Sequence, residues 1–463
     1  MVDNPGLVYK CLTKVSKVMS VEKDVKTLPV ASSEDALVGK AILTYDPATG
    51  EPSAFDASAM FKGAKKWYGV EFYTGTMTNP SFTAGQVQLL RIGNADMHKE
   101  LPVQSLMRGC LLNDDGTVRE YLQSNGWNAH DLSGASGQVM VEIPGAWWLF
   151  EDDLVSGTTR RRAAKVSLEQ FPGATYVPKF YIGAYEASLS GSKLCSVADV
   201  LPKTSYSRTS FRTAARSRNN DTKWNILSYD CYRILFWLYM IEYANRNSQA
   251  AVNSQRDANG FRQGGLGTGI SNVSNWNEYN GYNPIVKTGR SNALGNDSGE
   301  VNENASSYVN NGVTLVTSDD IVHNTRYRGI ENPFGHIWKW VDGIIVNAGA
   351  SAFDFYATSD PTKFSDSSFA SMEKRGSLML SSAYPKTLVF GAKGDIMPAE
   401  GGGGSTSYWC DYGYMPSAGA GIRGVCFGGI ANAGADDGFA YSSSRSAPSY
   451  TDSCLGSRLC YIP

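Results

Sequence analysis

The run Gly401-Gly402-Gly403-Gly404-Ser405-Thr406-Ser407-Tyr408-Trp409-Cys410-Asp411-Tyr412-Gly413-Tyr414 sets four glycines ahead of interleaved aromatic and short polar residues. In an extended chain, side chains alternate with period two, so Tyr408, Cys410, Tyr412 and Tyr414 fall on one side and Trp409, Asp411 and Gly413 on the other. Tyr450, Asp452 and Cys454 alternate in the same way with Thr451, Ser453 and Leu455. Aromatic residues offer rigid amphipathic area and short polar groups offer adaptable hydrogen bonds, the mixture expected of a contact surface. Residues 401–463 are therefore expected to form a binding face on a fixed frame. The competing reading is a Tyr- and Gly-rich β region whose aromatics simply pack.

Working outward, Tyr327-Arg328-Gly329-Ile330-Glu331-Asn332-Pro333-Phe334-Gly335-His336-Ile337-Trp338-Lys339-Trp340 reads as a turn leading into a strand. Its period puts Trp338 and Trp340 on one side, where both can enter one core. Trp224 to Ala244 places Leu227, Cys231, Ile234, Leu235, Leu238 and Ile241 on a stripe at spacings of three and four. That spacing predicts a helix buried along one side, capped by Asp221 or Thr222. Val139 to Ile143 alternates as a half-buried strand ended by Pro144, and Asp114-Asp115-Gly116 supplies a tight turn. Asn245 to Tyr308, rich in Asn, Gly and Ser, reads as a long surface insertion. Its Gly264-Gly265-Leu266-Gly267-Thr268-Gly269 segment lacks the Gly-Lys-Ser/Thr of a phosphate loop.

Several of these segments carry a resemblance. Phe427-Gly428-Gly429, Gly438-Phe439 and the ending Gly456-Ser457-Arg458-Leu459-Cys460-Tyr461 resemble the C-terminal variable region of proteins diversified by retroelements, of which phage tail-fibre tropism determinants are best known. Gly137 to Pro144 is similar to segments found in phage tail and adhesin proteins. Phe180 to Ser188 and the Trp-x-Trp strand are similar to core strands of the formylglycine-generating sulfatase-modifying enzymes. The resemblance implies a C-type-lectin-like fold and, by analogy with tail fibres, a trimer.

Composition bounds the rest. The 463 residues are 42% hydrophobic and 19% charged with a net charge of −2, so no global basic footprint points to nucleic acid or an anionic membrane. The opening residues carry no secretory pattern and no apolar run approaches the ~20 residues that span a bilayer. Arg160-Arg161-Arg162 reads as a solvated loop. The eight cysteines form no C-x-x-C pair. Cys410 and Cys426 could form the two-thiol site of the oxidase that shares the implied fold, but they fall among expected surface positions. The four histidines have no metal spacing, His336 reads as a packed core residue, and Asp436-Asp437-Gly438 reads as a turn ahead of a calcium site.

The expected architecture is thus α+β. A small β-rich assembly or attachment module spans residues 1–100, and a C-type-lectin-like domain with long irregular loops spans 101–463. The expected function is receptor binding by a phage virion projection, without catalysis, metal or cofactor. The contact residues are Tyr408, Asp411, Tyr412, Tyr414, Asn432, Asp436, Asp437, Ser443, Arg445, Ser446, Tyr450 and Asp452. The expected partners are a host cell-surface receptor, protein or glycan, and other virion proteins. A bacterial variable adhesin and a purely structural virion protein are the alternatives.

Overall fold

The computed structural model describes residues 65–74, 85–279, 281 and 284–463, together with the backbone of two strands at 41–45 and 52–56. The chain divides into two compact units, Met1–Lys66 and Trp67–Pro463. In the first, Ala41–Tyr45 pairs antiparallel with Pro52–Asp56. The apolar run at 41–45 and the turn chemistry at Asp46-Pro47 call for that hairpin. Most of the module expected at 1–100 lies outside the described residues. Its described final part, residues 67–74 and 85–100, belongs to the second unit: Tyr68–Tyr73 is held between Thr159–Ser167 and Leu90–Gly93.

The α+β, C-type-lectin-like expectation is corrected. Strands hold 38% of the residues and helices 14%, spread over many sheets, so the fold is β-rich. The physical reason lies along the whole chain, where short alternating segments closed by Gly, Asn and Asp turns recur from residue 67 to the end. Only one stretch sustains three-and-four spacing over a long helix.

Three large sheets frame the second unit. A five-stranded sheet runs in the order Thr175–Val177, Ala146–Ser156, Thr159–Ser167, Tyr68–Tyr73, Leu90–Gly93. Arg160, Arg161 and Arg162 sit inside its Thr159–Ser167 strand, not in a solvated loop, and are ion-paired with Asp152, Glu71 and Glu151. A six-stranded sheet is ordered Trp224–Ile226, Arg458–Tyr461, Phe180–Glu186, Gln138–Ile143, Arg108–Leu112, Val118–Tyr121. All of Gln138–Ile143 is buried, because both faces of its sheet are covered, and the half-buried expectation fails there. The third sheet is ordered Glu373–Leu378, Phe353–Ala357, Trp338–Ala348, Gly421–Phe427, Ser442–Ser443, Gly413–Tyr414. Leu455–Gly456 runs parallel beside Trp338 and Lys339. Residues 455–461 therefore belong to two sheets at once and tie them together.

The long helix is Tyr229–Tyr243. Trp224–Ile226 forms a strand instead, and the cap is Ser228, whose hydroxyl accepts from the Cys231 amide. Every residue of the helix except Asp230 is buried, so the one-sided stripe becomes a helix enclosed all round. Burying its charges requires partners. Glu242 accepts from Arg328 at 2.7 and 3.0 Å, and Asp230 accepts from Arg375 at 2.7 and 2.9 Å. A second helix, Arg208–Arg216, lays Arg212 on Asp342 of the Trp338–Ala348 strand, with Nη2–Oδ1 at 2.8 Å.

Residues 245–308 are also more than a surface insertion. Ile270, Val273, Trp276, Tyr279, Ile285 and Val286 build a separate small core with Leu315, Val322, Ile337 and Ala431. The apolar residues needed were present in the sequence but diluted among Asn, Gly and Ser.

Candidate functional site

The third sheet sets up the site. Trp340, fully buried, and Trp338, 9% exposed, lie in one core cluster with Phe211, Trp224, Tyr441 and Leu459. Gly424, on the neighbouring strand two residues from Trp340's partner Cys426, leaves room for the indole: a Cβ there would stand 2.6 Å from Trp340 Cζ3. Trp338 lies at the edge of the cluster, with its ring 4.5 Å from that of Tyr441 and tilted by 50°. Tyr441 in turn meets Tyr414 at 5.8 Å, and Tyr414 meets Tyr412 at 5.1 Å.

Above these rings opens a groove of about 610 Å³, within the range of roughly 300–1,000 Å³ usual for ligand sites. Of the residues expected on the contact face, Tyr414, Asn432, Asp436, Ser443, Arg445, Ser446 and Tyr450 line it. Tyr450 is 46% exposed and its hydroxyl donates to Asp452 Oδ2 at 2.6 Å. That bond is the main cause of the rise of the Tyr450 phenol to about 12, with burial adding to it. Burial pushes Asp452 up, but hydrogen bonds from Tyr450 and from the Cys454 amide outweigh it and hold the carboxyl below its ordinary value. Asp452 does not line the groove; it fixes the ring that does. Arg445 is exposed, with its guanidinium 5.4 Å from the centre of the Tyr414 ring. Asp436 accepts a hydrogen bond from the Tyr384 hydroxyl.

The other expected contact residues fall elsewhere. Tyr412 is half-buried and packs against Tyr384, Tyr414 and Tyr441 beside the groove. Tyr408 adopts φ +58°, and its amide donates to Gly85 O. Asp411 and Asp437 are corrected outright, since both are almost wholly buried. Asp411 Oδ2 accepts from Ser248 Oγ and the Ala440 amide, each at 2.8 Å, and Oδ1 has no partner. Burial pushes its carboxyl up to about 7. Asp437 Oδ1 accepts from the Ile430 amide, clamping the 430–437 loop, and burial drives this carboxyl well above its usual value despite the positive Lys339 nearby. Gly429, at φ +82°, gives the clamp its room, because a Cβ there would stand 1.4 Å from Asp437 Oδ1.

Trp338, Ile430, Ala433 and Tyr441 line the groove although the sequence reading left them out. Tyr441, Ser443 and Arg445 share one period-two side, a signal that points to Tyr441. Trp338 carries no such sign, because its spacing to Trp340 indicates core, and it serves both core and groove.

Cys410 and Cys426 are buried, not surface residues, and burial raises both thiols, Cys410 to about 12. His336 is buried with Nδ1 2.5 Å from Glu186 Oε2, and Lys339 Nζ lies 2.9 Å from Glu186 Oε1. Burial alone would raise Glu186, but Lys339 and His336 overcome it and hold the carboxyl at about 2. Among the described residues, no group of three or more His, Cys, Asp or Glu is arranged to hold a metal, and no helix is long and apolar enough to cross a membrane. Compared with known proteins, the chain matches no family model and no curated protein.

Proposed function

We propose that this chain is a receptor-recognition protein of a phage tail fibre or similar virion projection, and that the groove over Trp338 and Tyr441 is its contact site. The observation that carries the reading is convergence. Residues spread from Tyr414 to Tyr450, singled out by their interleaved aromatic and polar chemistry, meet in one open groove mounted on a buried sheet. A rigid frame under exposed, chemically mixed side chains is what a surface that must hold a ligand without reorganising requires. The virion assignment is supported by the resemblance of Phe427-Gly428-Gly429 and Gly456–Tyr461 to retroelement-diversified proteins; the fold expected from that resemblance is not carried over. The site acts by binding, with no chemistry assigned to it.

In adsorption to susceptible cells, Arg445→Ala and Tyr450→Ala are each expected to cost at least about 2 kcal/mol, or roughly thirtyfold in affinity, as hot-spot residues of these types do. Ser443→Ala is expected to be nearly silent. Unchanged adsorption by both of the first two variants, each shown to be folded, sinks the assignment.

A homotrimer is part of the same proposal. Several linked groove copies raise avidity by about 10²–10⁴ without new contacts. Light scattering of the full chain at micromolar concentration should give three times the chain mass, and a monomer there counts against it.

A further inference from the structure

We propose that the groove takes an acidic saccharide, a sugar chain bearing a carboxylate. The inference rests on the receptor-recognition reading and names its ligand class. The first observation concerns Arg445. Several arginines elsewhere among the described residues are engaged by carboxylates or carbonyls, as Arg161, Arg212, Arg375 and Arg458 are. Among the described residues Arg445 has no ion-pair partner; it stands exposed at the groove, its guanidinium over the Tyr414 ring. A guanidinium held by ring contact keeps its planar donors for an incoming anion, and a carboxylate matches them two to two.

The second observation is that the groove leaves no backbone for a peptide. Adding a strand needs a free sheet edge, yet Ser442–Ser443 is flanked by Gly421–Phe427 and Gly413–Tyr414, and Gly413 is bridged in turn to Ala383. Recognition there falls to side chains. The third is their chemistry. Tyr450, 46% exposed, and half-buried Tyr414 present ring surface to the groove, while Tyr441 and Trp338, 1% and 9% exposed, pack against each other, with Tyr441 also against Tyr414. Aromatic faces suit the C–H face of a sugar ring, whose hydrogens meet the negative side of the π-system. Asn432, Ser443 and Ser446 supply short donors and acceptors for the hydroxyls around such a ring. An acidic peptide would also answer Arg445, but would leave this arrangement of rings and hydroxyls without a role.

The test is binding of the full chain to an array of oligosaccharides containing uronic or nonulosonic acids, each beside its carboxyl-reduced twin, with poly-glutamate as the peptide control. Wild type should hold at least one acidic member and bind its reduced twin at least tenfold more weakly. Arg445→Gln should lose that tenfold preference, binding acid and twin alike, while Arg445→Lys keeps part of it. Thermal melts establish that each variant is folded. Equal binding of acid and twin by wild type, preference for poly-glutamate, or retention of no acidic member overturns the proposal. The receptor-recognition reading fails separately: it falls if groove substitutions leave cell adsorption unchanged, and it stands if they abolish adsorption while the array stays blank.

Discussion

Trp340→Ala is expected to lower the free energy of unfolding by about 3–5 kcal/mol, the cost of truncating a large buried aromatic. Trp340 is fully enclosed between the Arg208–Arg216 helix and its own sheet, so the space it vacates is a closed cavity. Trp338→Ala should cost clearly less, even though the two indoles share a strand and a cluster. Its side chain already borders the groove, so its removal deepens a depression that water can fill, where lost contacts are partly replaced. The binding order should be reversed, with Trp338→Ala weakening adsorption at temperatures where both variants are folded. Chemical denaturation of the two variants side by side decides the matter. Equal stability losses would mean that Trp338 is core alone and that the groove is not floored as described.

Between pH 5 and 8, stability is expected to fall as pH rises, and Asp411→Asn should make that fall clearly shallower. A carboxyl raised in the folded state from 3.8 to about 7 contributes stability that is fully present below its unfolded value and is lost as pH rises through about 7. The two pH units from 5 to about 7, at 1.36 kcal/mol each, amount to a loss of about 3 kcal/mol by pH 8. Asp437, also raised by burial, acts with the same sign, as does His323, which is held up to about 9 chiefly by its hydrogen bond to Glu300. His98, lowered by burial to about 4, acts oppositely below its ordinary value. Glu186, held at about 2, matters only in acid. The asparagine isolates the Asp411 share. Its carbonyl can accept from Ser248 and Ala440 as Oδ2 does, and its uncharged amide replaces the partnerless Oδ1. Melting temperatures of the two proteins at pH 5 and pH 8 provide the test: parallel declines would show that Asp411 is not the charge being buried.

Local pattern carried a good deal of this protein. The turn at Gly116, the shared side of Trp338 and Trp340, and the helix through Ile234 and Leu238 all follow from period and turn chemistry, because these depend on neighbours within a few residues. The mixed Tyr, Asn, Ser and Arg chemistry was legible too, and Tyr414, Asn432, Ser443 and Arg445 come together at the groove. Three things were decided only by the tertiary structure. The fold class was one: turns between short strands show that strands exist, but not which distant strands pair, and residues 455–461 join two sheets through partners more than a hundred residues away. The enclosure of the helix was another, because a stripe shows one buried face and cannot show that other elements cover the opposite one. The last was the burial of Asp411 and Asp437. Alternation separates two sides of a strand without saying which faces solvent, and here loop and helix cover the side on which a carboxylate would ordinarily remain in water.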